Sequence, residues 1–433
     1  MANSDINWQK YLDVATISDV GMRRASNQDN LAVEMAGSLE RWKQKGHLFM
    51  VADGMGAHAA GELASEIACE KIPQLYAKYS DVSAPEALKK AVIEANGVIN
   101  RKGQANEEFF NMGTTCSVLT LLTQGAVVAH IGDSRVYRLR GNQISQLTFD
   151  HSLVWEMKAS GQLTEAEEKS SLVPKNVITR SLGPYPDVKV DLEGPFPVEV
   201  NDTFLICSDG LTGLVEDDEI GSILANLSPQ EAVQVLTDLT NLRGGPDNLT
   251  IVVVKIVHPD MTTARTAKKP LTIGTRTGKS KISAITWAGL IASLVATIIL
   301  AFTSPVTAIV PGVLFLGFLL WLVIKLSGVG LGGTVVGNNQ RFGRGPYVKV
   351  NCASGNQFVL KLQKITGELQ KAAAIGGFAP LEGADRLIDL ARQAANSNDS
   401  ALAIKNYCRS LSVMMDEIRK RGREAAQDSS VDL

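Results

Sequence analysis

The chain lacks the sequence features that mark several classes of protein. Its five cysteines are widely spaced and form no CxxC pair, so neither a disulfide framework nor a zinc site is expected. The chain does not begin with a basic region followed by an apolar run, so no secretory signal is expected. A formal net charge of -2 gives no overall field that would attract nucleic acid, and no nucleic-acid partner is expected. Without a GxxxxGKS/T or GxGxxG sequence, a nucleotide-binding loop is also not expected.

Aspartates beside strand-like apolar stretches are the most informative feature that is present. Asp53 follows the apolar residues 48–52, Asp209 follows 203–207, and Asp247 lies in a Gly-Gly-Pro turn before another apolar stretch. A carboxylate at a strand end beside a turn points out of the sheet edge, where strands can converge. Converging carboxylates without basic partners repel each other unless a cation lies between them, and oxygen ligands favour magnesium, manganese or calcium. The pattern predicts a carboxylate metal site and a metal-dependent hydrolase.

Short β-type runs alternate with helical patterns up to residue 256. Many strands with clustered helices predict antiparallel sheets covered by helices, which is an α+β sandwich. In the last 72 residues, apolar positions recur every three or four residues in two stretches separated by a polar break at 396–400. This periodicity predicts a helical hairpin that serves packing or assembly.

A long uncharged run separates these two regions. Residues 282–324 contain no Asp, Glu, Lys or Arg, and two prolines interrupt the run. Because a membrane helix needs about 20 apolar residues, the run divides into two spans joined by a short turn. The alternative is a pair of helices buried in a soluble core. Basic residues flank both ends of the run and the turn is uncharged, so the positive-inside rule places both termini in the cytoplasm.

Nine short motifs lie in order between residues 14 and 256. They are SDVG through Arg24 (18–24), NQDN (27–30), VADGMG (51–56), MGTT (112–115), GDSRVYRLR (132–140), LTFDHSL (147–153), NVITRSLG (176–183), CSDGLTGLV (207–215) and GGPDNLTIVVV (244–254). Together they resemble the metal-dependent serine/threonine protein phosphatases of the 2C type, and the bacterial branch fits best.

The resemblance implies a central β-sandwich flanked by helices, a four-layer αββα arrangement, with a binuclear Mg²⁺ or Mn²⁺ centre at one end. It implies that Asp53 bridges both ions and that Gly54 offers its backbone carbonyl. Asp209 and Asp247 would ligate one ion, and Asp29 would orient metal-bound water from the outer shell. Taken alone, Asp29 could equally be a turn residue.

The resemblance also assigns a third, weaker ion and a phosphate-binding arginine. Asp133 would hold the third ion together with Asp209, although Asp133 could instead cap a turn before a strand. Arg24 matches the arginine that binds substrate phosphate. Its neighbour Arg23 is the alternative, because only one of two adjacent side chains can face the site.

The implied reaction is hydrolysis of phosphoserine and phosphothreonine in proteins that serine/threonine kinases phosphorylate. Two cations about 3.5–4 Å apart can lower the pKa of a bridging water and neutralise the phosphoryl oxygens. The interpretation is direct attack of this metal-activated water on the phosphate, without a phospho-enzyme. The alternative is a catalytically weak protein with the phosphatase fold that serves as a phosphopeptide-binding scaffold. Against it, every ligand position is filled here.

The chain departs from animal relatives at the leaving-group acid, and its flap has its own sequence. Met55 stands where those relatives have a histidine, so His58 or a metal-bound water would protonate the leaving group, although His58 could merely pack. Residues 150–183 match the mobile flap beside the site, including His151, Asn176 and Arg180. His151 is expected to pack or cap a helix rather than carry a proton.

The predicted organisation has five parts, and it places a membrane-tethered phosphatase with its catalytic domain and tail in the cytoplasm. The parts are a phosphatase domain over 1–258, a basic linker over 259–281, a transmembrane hairpin over 282–326, a glycine-rich segment with short strands over 327–361 and a helical hairpin tail over 362–433.

Overall fold

The fold is taken from a computed structural model of the 433-residue chain. The structure describes residues 6–56, 59–163, 173–174, 177–263, 291–299, 342–352, 356–375 and 381–431, with a few isolated residues between 313 and 319. The chain divides into two compact units, one of Met1–Pro270 with Asn338–Leu433 and the other of Leu271–Gly337.

The strands of the described chain form two antiparallel sheets. The first sheet has the order β1 (Leu12–Asp19), β11 (Leu249–Ile256), β10 (Thr203–Cys207), β7 (Arg135–Arg140), β8 (Gln143–Gln146) and β12 (Val348–Asn351). The second has the order β2 (Asp29–Glu34), β3 (His47–Met55), β5 (Cys116–Leu122), β6 (Gly125–Ile131) and β9 (Asp191–Phe196), and β4 (Gly113–Thr114) pairs with β3.

Helices cover both outer faces of the paired sheets. The helices of the described chain are α1 (Leu39–Lys45), α2 (Ala60–Lys78), α3 (Ala84–Ala105), α4 (Leu153–Ala159), α5 (Asp209–Thr212), α6 (Asp217–Asn226), α7 (Pro229–Leu242), α8 (Asn356–Ile375), α9 (Glu382–Asn396) and α10 (Ser400–Val431). The second sheet packs against α2 and α3, and the first packs against α6 and α7. The predicted α+β sandwich with helices on both faces is confirmed.

The side chains of each strand point alternately to its two faces, and this alternation forms two hydrophobic cores. On β10, Phe204 and Ile206 pack between the sheets with Phe49 of β3, while Leu205 points to the opposite face and packs under the α6–α7 layer. Successive side chains of a strand point to opposite faces, and both faces are covered here, so the strand is apolar throughout. Burying one such side chain contributes about 1.5–3 kcal/mol relative to leaving it exposed. The two cores therefore fix the strand ends that carry the aspartates.

The local sequence determines where α7 begins. The Ser228 hydroxyl accepts the Glu231 amide, the Glu231 carboxylate accepts the Ser228 amide, and Pro229 occupies the first helical turn. This reciprocal pair satisfies amide groups that the helix leaves free at its start. The cap fixes where α7 begins and hence where the loop after it carries Asp247.

The C-terminal tail contains three helices where the sequence pattern predicted a hairpin of two. The predicted polar break is confirmed: Asn398 adopts a left-handed conformation (φ 65°), and the Asp399 carboxylate accepts the Leu402 amide at the start of α10. The second break, before α9, falls partly outside the described residues. α8 also begins at Asn356, earlier than the predicted residue 362.

The tail forms a further layer on the two-sheet domain instead of a separate module. Apolar side chains of α8 and α10 share one core with α6 and α7. Arg419 pairs with Asp238 at 2.5 Å and Lys361 pairs with Glu219 at 3.0 Å, and both carboxylates are buried. The predicted short-strand segment contributes β12, which pairs with β8 and extends the first sheet. Long-range pairing of this kind leaves no local sequence signal.

The predicted membrane hairpin falls mostly outside the described residues. Of residues 282–326, the structure describes the helical stretch 291–299 and a few positions after 312. Within the described parts, no helix has both the length and the apolar character needed to cross a bilayer.

Two buried histidines should make folding stability sensitive to acid. Burial lowers the pKa of His47 to about 4 and that of His130 to about 3. The unfolded chain takes up these protons near pH 6.5, the approximate pKa of a free histidine, and the folded chain does not. At these two histidines the unfolded state then binds more protons, so their contribution to stability should be lost as pH falls from about 6.5 towards 4, while buried carboxylates with a raised pKa, such as Asp150 at about 6, act in the opposite direction. Thermal unfolding followed by tryptophan fluorescence at stepped pH measures this slope.

Relative to the wild type, His47→Gln should lose less stability over this pH range, because it removes one of the two histidines and leaves the buried carboxylates unchanged. The matched control is His258→Gln, at a half-exposed side chain. An unchanged slope in His47→Gln would contradict the assignment.

Candidate metal centre

The ends of β2 and β3 bring two of the predicted aspartates together. Asp29 is directly opposite Asp53 in the antiparallel pairing of these strands. The Asp53 amide donates to the Thr115 hydroxyl at 2.9 Å, which ties the end of β3 to the start of β5. The residue after Asp53 must be glycine, because a Cβ on Gly54 would lie 2.1 Å from the Gly61 carbonyl oxygen. The Asp53–Gly54 pair is therefore held by tight backbone packing.

The neighbouring strands of the other sheet supply Asp209 and Asp247. Asp209 follows β10 and opens α5, and Asp247 lies in the loop before β11, which pairs with β10. A Cβ on Gly210 would lie 2.0 Å from the Asn248 carbonyl oxygen, so these two loops pack backbone against backbone. The Ser208 hydroxyl donates to Asp29 at 2.7 Å and joins the two sheets at this edge.

Asp133 reaches the cluster from the connection that crosses from one sheet to the other. It lies between β6 of the second sheet and β7 of the first, after Gly132, whose φ is 108°. A Cβ on Gly132 would lie 2.6 Å from the Thr115 side chain, so the turn requires glycine. The structure thus brings Asp133 together with the other predicted aspartates.

The aspartates of this cluster disfavour each other's ionisation. Burial, followed by the charges of Asp29, Asp209 and Asp133, holds the pKa of Asp53 well above its ordinary value. Burial and then Asp209 raise the pKa of Asp133 to about 8, and burial raises that of Asp29 to about 6. Burial and then Asp247 also raise the pKa of Asp209. Ionising the whole cluster therefore requires added positive charge.

Unpaired buried oxygens show that the cluster fits a cation. One carboxylate oxygen each of Asp29, Asp133 and Asp209 is buried without a hydrogen-bond partner among the described residues. Buried polar atoms are normally satisfied, and a buried charge without a partner is costly. Oxygen-only donors suit Mg²⁺ and Mn²⁺.

The cluster is not a preformed cage. In the part of the chain that the structure describes, no three His, Cys, Asp or Glu side chains are arranged to hold one ion. Asp53 and Asp209 are instead within hydrogen-bonding reach of each other, and Asp247 is paired with Arg24. This is compatible with Mg²⁺, which keeps several waters and binds through one or two carboxylates at a time. The fit rests on donor chemistry and on the unpaired oxygens.

Arg24 lies at the rim of the cluster. Its guanidinium donates to Asp247 at 2.9 Å, and its side chain is half exposed. The hydrogen bond and charge of Asp247 raise the pKa of Arg24, so it remains a cation. An exposed guanidinium beside a cation site can bind phosphate with paired hydrogen bonds.

Asn248 fastens the loop that carries Arg24, a role that the sequence interpretation missed. Its amide nitrogen donates to the Val20 and Ser26 carbonyls at 3.0 and 2.9 Å, and its oxygen accepts the Gln28 amide at 2.9 Å. The available signal was its position beside Asp247 in the PDN motif. Asparagine offers both donors and an acceptor, which this loop requires.

An arginine–aspartate pair beside the cluster was also missed. Arg135 binds Asp150 at 2.7–2.8 Å, and the Tyr137 hydroxyl donates to Asp217 at 2.8 Å. The Arg135 guanidinium also lies over the Trp155 ring, 5.6 Å from its centre. The GDSRVYRLR motif contains Arg135 and Tyr137, but their partners Asp150 and Asp217 lie outside it, 15 and 80 residues further along the chain.

Two residues of the flap, His151 and Arg180, hold neighbouring loops in position. His151 is buried, accepts the Gly132 amide at Nδ1 and lies 3.0 Å from Asp191 through Nε2. Burial lowers the pKa of His151, so the neutral ring donates from Nε2 to that carboxylate. Arg180 binds the same carboxylate at 3.0 Å. The contacts of His151 match its expected packing role, and they hold Gly132 next to Asp133.

Two predicted site residues, His58 and Asn176, lie outside the described residues, as does the flap stretch 164–172. Their predicted roles stay predictions.

A cavity of about 610 Å³ opens beside the carboxylates. Asp133, Asp209 and Asp247 line one part of it, and Trp155 and Lys158 of α4 line another. The cavity is of the size that proteins use to bind ligands larger than a phosphate ion, roughly 300–1,000 Å³.

Comparison with known proteins agrees with this arrangement. The family model described as "Protein phosphatase 2C" matches residues 23–241. Protein phosphatase PhpP of Streptococcus pneumoniae serotype 2 is 35% identical over 255 residues, covering 58% of this chain and 99% of that protein. Serine/threonine phosphatase stp of Listeria welshimeri is 34% identical over 243 residues, covering 55% of this chain and 93% of that protein.

A solved structure supports the same assignment. The crystal structure of the Mycobacterium tuberculosis serine/threonine phosphatase PstP/Ppp is similar with a TM-score of 0.50 and 31% identity, covering 57% of this chain and all of that one. The resemblance read from the nine motifs is thereby confirmed, and the chain belongs to the protein phosphatase 2C family.

Proposed function

We propose that this chain is a Mg²⁺- or Mn²⁺-dependent phosphatase that removes phosphate from serine and threonine residues of kinase-phosphorylated proteins. The observation that carries the proposal is the set of unpaired buried oxygens on Asp29, Asp133 and Asp209 around the Asp53 carboxylate. Family membership supports the same activity.

Asp53, the Gly54 carbonyl, Asp209 and Asp247 would hold two ions, and Asp133 with Asp209 would hold a third. When bound, the ions supply a nucleophilic water at neutral pH and neutralise charge on the phosphoryl oxygens. The tight backbone contacts at Gly54 and Gly210 hold these donors in place.

Arg24 would bind the substrate phosphate. In this structure Asp247 is its partner. With Asp247 holding an ion, Arg24 would have its guanidinium N–H groups available to donate to phosphoryl oxygens. Asp29, fixed by Ser208, would orient the attacking water. His58 or a further water would protonate the leaving group, since Met55 cannot.

A covalent route through cysteine has no support among the described residues. Cys207 ends β10 close to Asp209, but burial raises the pKa of its thiol. Burial has the same effect on Cys116, whose thiol pKa rises to about 12. A nucleophilic cysteine needs a lowered pKa and access to substrate, and both thiols are buried.

Asp209→Asn should abolish metal-dependent activity. The amide oxygen is a weaker ligand than a carboxylate, so hydrolysis of a phosphothreonine peptide with Mn²⁺ should fall more than about 100-fold, beyond the 10–100-fold cost typical of outer-shell changes. The stabilisation of the wild type by Mn²⁺ in thermal unfolding should be lost in parallel. Both are measured on the full chain.

The matched control is Asp260→Asn, at a carboxylate that is 70% exposed. It should leave both readouts unchanged. Full activity in Asp209→Asn would contradict the metal assignment. A wild-type chain that binds the phosphopeptide but does not hydrolyse it with Mn²⁺ or Mg²⁺ would favour the scaffold alternative.

Arg24→Ala should lower kcat/KM for the phosphopeptide on the order of 10- to 100-fold, because hydrogen bonds to a charged group contribute about 1.5–3 kcal/mol. Arg23→Ala is the matched control, since it removes an equal charge from the adjacent position. Steady-state kinetics at saturating Mn²⁺ separates the two variants. Equal losses in both would mean that only local charge matters, and the phosphate-binding role would be wrong.

We further propose that residues 282–326 form a membrane hairpin with the catalytic domain and tail on the cytoplasmic side. The uncharged run of 43 residues supports it. So do the apolar side chains of the described helical stretch, among which Ile291, Val295 and Ile299 are exposed. Adjacent exposed apolar side chains favour contact with lipid or another apolar surface.

The membrane proposal predicts that the full chain sediments with membranes, resists a carbonate wash and is released by detergent. Replacing residues 282–326 with a Gly/Ser linker should make it carbonate-extractable while the phosphopeptide activity persists. Quantitative release of the unaltered chain by carbonate would contradict the hairpin.

A further inference from the structure

Main-chain pairing fixes residues 342–352, here called the C-terminal strap, to the catalytic domain beside the cavity. Val348 lies opposite Gln146 in the pairing of β12 with β8, and the Tyr347 amide donates to the Gln146 carbonyl at 2.9 Å. At the other end, the Cys352 amide donates to a carbonyl in the turn between β7 and β8 at 2.7 Å. Bonds on both sides of Val348 hold it in one register.

A buried glutamate of the opposite sheet anchors the strap. Glu193 on β9 is 2% exposed and accepts the Gly345 amide at 2.8 Å and the Tyr347 hydroxyl at 2.5 Å. Gly343 passes so close that a Cβ would lie 2.0 Å from this carboxylate, and its φ of 66° also favours glycine. The strap is therefore a specifically built contact across both sheets.

Three aromatic rings connect the strap to the wall of the cavity. The Tyr347 ring packs edge-on against Phe149 with centres 5.4 Å apart, and Phe149 packs edge-on against Trp155 at 5.4 Å. Such contacts contribute about 0.5–1.5 kcal/mol each beyond burial. Trp155 belongs to α4, so the strap helps to fix the helix that borders the cavity.

Val348 itself lines the same cavity as the metal-centre carboxylates Asp133, Asp209 and Asp247. Trp155 of α4 also lines it, so the cavity combines a charged region with apolar surface. At about 610 Å³ it can accept residues that flank a phosphorylated side chain as well as the phosphoryl group.

We propose that Val348 is a specificity-determining residue of the phosphatase, which with Trp155 forms a subsite for an apolar side chain next to the phosphorylated serine or threonine. The inference rests on the proposed phosphatase function. The family match ends at residue 241, so the chain adds this wall from outside the matched region. A substrate with an apolar flanking residue gains by burying that residue against Val348, and one with a charged residue there loses its hydration.

The test compares two substrates on the full chain in detergent with Mn²⁺. One is a phosphothreonine peptide with leucine next to the phosphothreonine, and the other is p-nitrophenyl phosphate, which has no flanking residues. Val348→Trp should fill the subsite and raise KM for the peptide about tenfold, a typical effect of one apolar contact, with little change for the small substrate. Lys349→Trp is the matched control, since this exposed neighbour points to the opposite face of the strand.

A second variant tests the chemistry of the subsite. Val348→Lys should move the preference from the leucine-flanked peptide towards a glutamate-flanked one, which a merely structural residue would not do. The inference is overturned if Val348→Trp leaves the peptide unaffected, if it lowers turnover of both substrates equally, or if Val348→Lys leaves the preference unchanged. A wild-type chain that hydrolyses neither substrate would instead overturn the proposed function, and this inference with it.

Discussion

Mutual repulsion among buried carboxylates is the constraint on which the rest of this structure depends. Asp53, Asp29, Asp209 and Asp133 raise one another's proton affinity, and three of their oxygens have no partner among the described residues. Such a cluster costs stability without cations, since each desolvated charge lacks compensation. The two apolar cores offset that cost and keep the strand ends rigid, so the carboxylates cannot separate to relieve their repulsion. Stability is thereby exchanged for a site that attracts divalent ions.

Close contacts between backbone segments set the positions of the loops that carry the aspartates. Glycines at positions 21, 54 and 210 let loops from both sheets approach so closely that a methyl group would collide with a carbonyl oxygen. Asn248 and Ser208 then bind these loops to each other across the edge of the sandwich. A metal centre assembled from distant segments needs such second contacts, because each aspartate by itself has several rotamers.

Much of the fold and of the site could be predicted from the sequence, and the failures share a cause. Asp53, Asp209 and Asp247 were identified because each lies beside an apolar stretch and a turn, which are local signals. The contact of Tyr137 with Asp217, the role of Asn248 and the pairing of β12 with β8 were missed, because each depends on residues far apart in the chain. The predicted number of helices in the tail was wrong for a local reason. The helical periodicity of apolar residues continues across the short break between α8 and α9, so the sequence pattern showed one helix there. Local sequence patterns identify the secondary-structure elements and the candidate metal ligands. The partner of a given side chain, by contrast, is known only from the tertiary structure.

The C-terminal strap lies at an edge of the domain where the sequence can vary without disturbing the carboxylate cluster. The loops around the metal centre are fixed by glycine contacts and by paired polar groups, so a substitution there would disturb catalysis. β8 would have a free edge without β12, and an edge strand offers unpaired amides and carbonyls to any added strand. Adding β12 satisfies those groups and places Val348 on the cavity without altering Asp133, Asp209 or Asp247. A strand added at this edge therefore offers a way to change contacts to a substrate, as proposed for Val348, while the carboxylate cluster stays the same.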